Sequence, residues 1–542
     1  MIRLPFIRIR RLVLCANALL LIALLGVANR SRSQGLNPEA LLKPSVDAWP
    51  TYNGDYTGRR YSSLSQINVK NAASVALAWA FQTNQSDFLI KSTPLLVNGI
   101  LYFTIPDQVW AVDARSGRQL WHYTYPHHGG VYIGQRGVGM YKDSLYFMST
   151  NAHLICLDAR TGTPRWTVEV ADSKLGYFST MAPLVIHNHV LVGVSGDFYD
   201  LNGFIRSYDP ESGKVQWQWN SVPKPGEPGS ETWPTKGDAI KHGGGMTWMS
   251  GTYDASLNLT YWGIGNPNHT MYGGDRPGDN LYTCSIAAIN PDTGKMKWYF
   301  QVSPHDTHDW DATEVPVLVD ADFHGRQQKL LLQASRNGYF FVLNRVTGKD
   351  LLTVPFANIN WSLKVDSEGH PVRNPEKDTS ASGVLVSPAS SGATNWRSPS
   401  FDPQTGLFYV SAAQSYSLFF HLTTGKAVGY EGKDFGIWAQ SYLKAIDYQT
   451  GRVRWKDDLG SGWAGAGILT TAGGILFTAD AHGNLLILDA ATGRVLWHAY
   501  GGGAAANSPI TYELDGRQYL LMGVHGILYA FALPESLTQN TE

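Results

Sequence analysis

One eleven-residue phrase recurs along this chain, and its recurrence restricts the fold more than any other feature. Ala111-Val-Asp-Ala-Arg-Ser-Gly-Arg-Gln-Leu-Trp121 returns as Cys156-Leu-Asp-Ala-Arg-Thr-Gly-Thr-Pro-Arg-Trp166 and as Ser207-Tyr-Asp-Pro-Glu-Ser-Gly-Lys-Val-Gln-Trp217. Further copies end at Trp298, Trp455 and Trp497. Another, Val342 to Leu352, keeps Asn344, Thr347 and Gly348 but carries Leu352 where the Trp should be. The shared core reads as strand, capped turn, strand, Trp. The acid or amide caps the turn with its side chain, and the glycine supplies the positive φ of a tight hairpin. The closing indole is large and flat, suited to packing between adjacent sheets.

Spacing turns the repeat into an architecture. The Trp ends lie 45, 51 and 81 residues apart between Trp121 and Trp298, and 42 apart between Trp455 and Trp497. Four short strands need roughly 40 to 50 residues, the period of a propeller blade, so the larger gaps imply inserted loops. About eight blades of roughly 60 residues each, insertions included, account for the chain. Repeat counting alone also admits a seven-bladed binding propeller. Asp515-Gly-Arg-Gln-Tyr519 and Leu528-Tyr-Ala-Phe-Ala532 read as closing strands. Pairing of a terminal strand with the N-terminal segment would remove the open edge.

Composition narrows the function classes. Charged residues make up 16% of the 542, against 43% hydrophobic ones. That balance excludes disorder as the main state. A net charge of −1, with no long basic run, gives no electrostatic reason to bind nucleic acid. Three cysteines, Cys15, Cys156 and Cys284, exclude a disulfide scaffold, and no C-x-x-C-H motif offers covalent haem attachment. Arg3, Arg8, Arg10 and Arg11 precede an apolar stretch, Leu12 to Ala28. Residues 1–35 therefore read as a signal peptide or an N-terminal membrane anchor, and the protein as periplasmic or secreted. The propeller is assigned to 36–542.

Several stretches carry chemistry. Asp306, Asp309 and Asp311 crowd one short segment, and carboxylates this close need a cation or a shared proton. A solvated acidic loop is the plainer alternative. Asn266, in Gly-Asn-Pro at 265–267, offers a hard amide oxygen suited to calcium or a lanthanide, or forms an ordinary Asx turn. His305 and His308 stand at H-x-x-H spacing, but no helical H-E-x-x-H frames them and oxygen ligands dominate nearby, which argues against zinc. Trp248 is one of 18 tryptophans, most of which serve packing.

The repeats resemble the tryptophan-docking motifs of the eight-bladed quinoprotein alcohol dehydrogenases, which bind pyrroloquinoline quinone (PQQ). The resemblance runs from Trp49-Pro-Thr-Tyr-Asn-Gly-Asp-Tyr56 to Leu533-Pro534. Its more specific stretches follow in family order: Gly243-Gly-Gly-Met-Thr-Trp248, Tyr261-Trp-Gly-Ile-Gly-Asn-Pro267, Gly278-Asp-Asn280 and Pro304-His-Asp-Thr-His-Asp-Trp-Asp311. It implies Asp309 as catalytic base, taking the hydroxyl proton of a primary alcohol or related substrate while the quinone accepts hydride. It implies Trp248 as the floor under the quinone, with Arg136, Arg336 and Asn395 as further cofactor contacts. Asn266, Asp309 and Asp311 become metal ligands for Ca²⁺ or a lanthanide, Asp311 matching the extra carboxylate of the lanthanide-dependent branch. Electrons would pass to a soluble cytochrome c or a membrane-linked acceptor.

Departures from the family pattern keep a second reading in view: a quinoprotein-like binding propeller that has lost its cofactor. The vicinal Cys-Cys pair is replaced by Gly129-Gly-Val-Tyr-Ile-Gly-Gln135. The metal-binding Glu falls on Phe198 in Ser195-Gly-Asp-Phe-Tyr-Asp200, leaving Asp197, or else Asp200, to stand in. The Trp expected before Ile468-Leu-Thr-Thr471 falls on Gly465, with Trp463 close by.

Overall fold

The recurring phrase folds as a capped antiparallel hairpin. Strand Gln108–Asp113 pairs with Gln119–Thr124, and Asp113 Oδ1 accepts from the backbone N–H of Arg115 and Ser116 at 2.9 and 3.1 Å. Asp158, Asp209, Asn290, Asn344, Asp447 and Asp489 repeat this cap. The turn therefore closes through a local side-chain bond that needs no tertiary help.

The computed structural model describes Leu36 and residues 41–85, 88–126, 129–196, 198–422, 430–462 and 465–538. The expected signal or anchor over 1–35, the candidate ligand Asp197 and the neighbouring Trp463 lie outside the described residues. Among those described, no helix is long and apolar enough to cross a membrane.

The protein is an all-β propeller. Among the described residues the strands form eight sheets of four or five strands, plus a two-stranded sheet of Ser362–Val365 and Pro371–Arg373. Most sheets are built from consecutive strands of the chain. Two are completed from the N-terminal side. Ala76–Gln82 pairs antiparallel with Ile527–Ala532, as the expected closure requires, and Tyr61–Ser62 adds in parallel to Leu469–Thr471. The Asp515–Gly516 turn between Ile510–Leu514 and Arg517–Val524 has φ of +54° and +75°, the signature of a type I′ hairpin.

Successive sheets are held by the repeat's own residues. The indole N–H groups of Trp79, Trp121, Trp217, Trp298 and Trp455 donate to the carbonyls of Ala114, Ala159, Pro291, Arg345 and Ala490, each in the hairpin turn of a neighbouring sheet. Gly162 shows why the phrase needs glycine. Its φ is +70°, and a Cβ there would stand 2.6 Å from the Trp121 ring. Where the repeat carries Leu352 instead of Trp, the matching Gly451 faces Val354 and Leu352. Apolar side chains of facing sheets fill the space between, and the hydrophobic term follows the area so removed from water.

Candidate active site

The loops that leave the strands converge on one cavity of about 190 Å³, lined by Arg136, Trp248, Asp309, Asp311, Arg336 and Trp396, with Ile133, Phe178, Thr180, Ser195 and Tyr430 completing its wall. Asp309 and Asp311 come from the loop between Met296–Gln301 and Val317–Phe323. Arg336 sits in the turn between Arg326–Ala334 and Tyr339–Asn344. Trp248 precedes Thr252–Asp254, and Asn266 follows Leu259–Gly263. Residues far apart in the chain meet because each lies at one end of its own sheet.

Asp311 is the hub. Its Oδ2 accepts from Trp248 Nε1 at 3.2 Å and from Arg336 Nη1 in a short contact. Its Oδ1 accepts from the backbone N–H of Asn266 at 2.7 Å. Gly265 permits this approach, since a Cβ there would lie 2.8 Å from Asp311 Oδ1. Arg336 Nη2 reaches Asp309 Oδ2 at 3.2 Å and the Ser390 carbonyl at 2.8 Å. Burial works against the Arg336 charge, but Asp309, Asp311 and Glu314 raise its pKa above the ordinary value. Glu314 lies behind the cluster, and burial pushes its carboxyl up to about 8. Asp309 itself holds a left-handed φ of +68°, a conformation uncommon for a residue with a Cβ.

The cavity wall also carries a cation without an acid partner among the described residues. The Arg136 guanidinium lies between two indoles, 4.7 Å from the Trp248 centroid and 4.9 Å from that of Trp396. Arg136 is 5% exposed, its Nη1 donates to the Thr180 carbonyl at 3.0 Å, and its Nε has no partner. No described carboxylate pairs with it. Burial, then Arg136 and Arg397, push the Lys91 amine down to about 8, while burial holds Arg397 at about 10. Three half-buried or buried cations thus face one region without a matching described acid. Such an arrangement suits a polyanionic ligand, because a charged partner offsets the lost hydration of a buried guanidinium better than a carbonyl or an aromatic face does.

Not every residue singled out from sequence reaches the cavity. Asn395 donates to the Ser391 carbonyl at 3.0 Å and accepts from its neighbour Trp396's N–H at 2.8 Å, while Trp396 itself lines the wall. Asp306 is turned away, accepting from the N–H groups of His308 and Trp310 at 3.3 and 3.1 Å. Burial raises its pKa to about 6. His305 and His308 bond the carbonyls of Gly278 and Lys377 at 2.8 and 2.7 Å through one ring nitrogen each, and among the described residues neither belongs to a cluster of three ligating side chains. Asn266 behaves differently: it is 2% exposed, its amide nitrogen is bonded to Thr270 Oγ1 at 2.9 Å, and its Oδ1 has no partner. A buried orphan amide oxygen, on a residue whose backbone N–H is bonded to Asp311, fits a hard cation.

A family model described as "Glucose/ethanol/alcohol dehydrogenase, beta-propeller domain" matches residues 49–364. The quinohemoprotein alcohol dehydrogenase of Comamonas testosteroni is 35% identical over 523 residues, covering 88% of this chain and 72% of that one. The chain belongs to the PQQ-dependent alcohol dehydrogenase family. As a quinoprotein alcohol dehydrogenase it is an oxidoreductase of the class acting on CH–OH groups. The quinoprotein alcohol dehydrogenase PedH of Pseudomonas putida is 33% identical, covering 97% of this chain and 98% of its own. The structure of a europium-containing methanol dehydrogenase superposes with a TM-score of 0.83 at 30% identity, over 92% of this chain and all of that one. A second family model, "Outer membrane protein assembly factor BamB", matches residues 439–531, the part of the chain where the bare repeat dominates.

Two of the three departures from the quinoprotein family pattern have apolar or aromatic replacements at the cavity. Ile133, from the stretch that replaces the Cys-Cys pair, lines the cavity. Phe198, at the Glu position, stacks on Phe178 and Tyr430 at 5.8 and 5.9 Å. Sequence reasoning missed Lys91, Arg397, Trp396 and Glu314. Trp396-Arg397 follow Asn395 directly and Glu314 stands three residues after Asp311, so proximity in sequence was a usable signal for three of them. Lys91 had none.

Proposed function

We propose that this eight-bladed, tryptophan-docked propeller oxidises a primary alcohol or related hydroxyl substrate with PQQ, beside Ca²⁺ or a lanthanide ion. The observation that carries the reading is one cavity lined by Asp309, Asp311 and Arg336 and by Arg136, a cation with no described carboxylate partner, with Trp248 bonded to Asp311 and lying against Arg136. Eight sheets of four or five strands, and indoles bonded to neighbouring turns, support the blade count and the docking role. Bound PQQ would supply two-electron redox chemistry.

The chain's own residues do the rest. Trp248 offers a flat face and Arg136 a guanidinium fork for a planar, acidic cofactor. Asn266, Asp309 and Asp311 would hold the cation. Asp309, oriented by Arg336 Nη2, takes the substrate hydroxyl proton as general base. Arg336 would stabilise negative charge developing on a carbonyl oxygen, an effect strengthened where water is excluded, and a bound cation would add Lewis acidity there. Asn395 holds the turn that presents Trp396 to the cavity. Ile133, Phe178, Phe198 and Tyr430 give the mouth an apolar rim suited to an alcohol's carbon chain. Electrons then leave to a separate acceptor, a soluble cytochrome c or a membrane-linked carrier. Export through the 1–35 segment would place the protein in the periplasm or outside the cell, the segment being cleaved or retained as an anchor.

Reconstitution of purified protein with PQQ plus Ca²⁺ or La³⁺ tests this directly. Stoichiometric cofactor absorbance and dye-linked alcohol oxidation are expected. A protein that takes up no PQQ with either ion would instead be the cofactor-free binding propeller.

A further inference from the structure

A second group of side chains lies outside the cofactor cavity, where three loops meet. Asp200 follows the Ser195 segment, His242 caps the short 3₁₀ turn Ala239–Lys241, and His269 follows Asn266-Pro-Asn. Ligand atoms of all three lie within 4.8 Å of one another. Asp200 Oδ1 is 3.5 Å from His269 Nε2 and 3.9 Å from His242 Nδ1. That oxygen and both ring nitrogens of His269 are buried without an aligned hydrogen bond. The His269 side chain is only 8% exposed.

Each imidazole also has a carboxylate on its far side. Asp275 Oδ2 lies 2.8 Å from His269 Nδ1, with Glu431 Oε2 at 3.7 Å. Asp238 Oδ1 lies 3.4 Å from His242 Nε2. Carboxylates so placed orient metal-ligating histidines and fix their tautomer. The near-side nitrogens, His269 Nε2 and His242 Nδ1, both face Asp200.

We propose that Asp200, His242 and His269 form a second cation site, built for a divalent transition metal of the zinc class. Tetrahedral ligands at about 2.0–2.2 Å from zinc stand roughly 3.3–3.6 Å apart. The Asp200–His269 distance already meets that spacing, and rotation of the partly exposed His242 closes its separations from both, 3.9 Å to Asp200 and within 4.8 Å to His269. Two imidazoles and one carboxylate leave a fourth position for water, and the side chains of His242 and Asp200, 23% and 28% exposed, open that position to solvent. Nitrogen donors discriminate against Ca²⁺ and lanthanides, which prefer oxygen, so this site and the cavity select different ions. A bound ion would pin together three loops, one of them leading from Asn266. The proposal does not depend on PQQ being bound.

The test uses the full chain, stripped with chelator and free of PQQ, titrated with Zn²⁺ by calorimetry and checked by elemental analysis. One equivalent bound at micromolar affinity or tighter is expected, with a rise in Tm. Both should disappear in His242→Ala, and Asp275→Asn should weaken binding by about 10- to 100-fold. Because His269 is buried and its loss risks misfolding, the partly exposed His242 and Asp200→Asn carry the decision. Zinc uptake unchanged in both variants, or no stoichiometric uptake by the parent protein, would overturn the site. A parallel La³⁺ titration, unaffected by His242→Ala, keeps failure here distinct from failure of the cavity's own cation site.

Discussion

The Arg136 guanidinium lies 4.7 Å from the centroid of the Trp248 ring. It is a buried cation that donates to the Thr180 carbonyl and lies against aromatic faces, with no carboxylate paired to it among the described residues. Cation–π attraction of this kind contributes about 0.5–2 kcal/mol, less than a charge-assisted pair with an acid. An incoming carboxylate therefore competes well for Arg136 and releases the indole face for stacking. Arg136→Lys should weaken PQQ binding about tenfold or more, since a charge-assisted bond contributes about 1.5–3 kcal/mol and lysine cannot reproduce the fork. Trp248→Ala should weaken it through loss of the stacking face. Fluorescence titration of both variants, against a packing Trp such as Trp455, checks this.

Asp309→Asn should leave the fold and most cofactor affinity intact while lowering turnover by on the order of 10²-fold or more. Asp309 borders the cavity and Asp306 does not, because Asp306 bonds the backbone of its own loop. Asp306→Asn should therefore lower stability more than kcat. Steady-state kinetics and urea unfolding of both variants separate these roles.

Metal preference should turn on Asp311. In the present arrangement its two oxygens receive Trp248, Arg336 and the Asn266 N–H. With Phe198 at the family's Glu position, fewer carboxylates remain for a cation, and a trivalent ion gains more from each of them. La³⁺ or Ce³⁺ should support more activity than Ca²⁺, and Asp311→Asn should remove the difference. Removing a buried partner of Arg336 also costs stability, about 3–5 kcal/mol for such pairs, so the ion titrations belong at low temperature on protein checked for native circular dichroism.

Glu314 makes stability depend on pH. Burial holds its folded-state pKa at about 8 against an ordinary 4.5. The folded chain therefore keeps a proton that the unfolded chain releases above pH 4.5. The stability tied to that proton is fully present below the unfolded pKa and is lost as pH rises towards 8. The Tm of metal-free protein should fall across that window, and Glu314→Gln should flatten the fall. An unchanged slope in the variant would assign the pH dependence to another group.

The repeat, and through it the fold, is written in local sequence. A side chain two or three residues before the N–H it caps, a glycine at positive φ and an indole at the end of the next strand are local features, so periodicity alone exposed the Asp113, Asp158 and Asn290 hairpins. Closure by Ile527–Ala532 followed from the need to satisfy an edge. The site was legible only through resemblance, and only as a set of positions. Tertiary structure decided which of those positions share space. It turned Asp306 onto its own backbone, gave Asn395 a turn to hold, and left the Asn266 oxygen free, distinctions that depend on the direction of a side chain and not on its spacing. It also brought Lys91, Arg136 and Arg397 together, and Asp200, His242 and His269. Residues from separate blades meet at the ends of their sheets because the ring closes, and no local pattern records that closure.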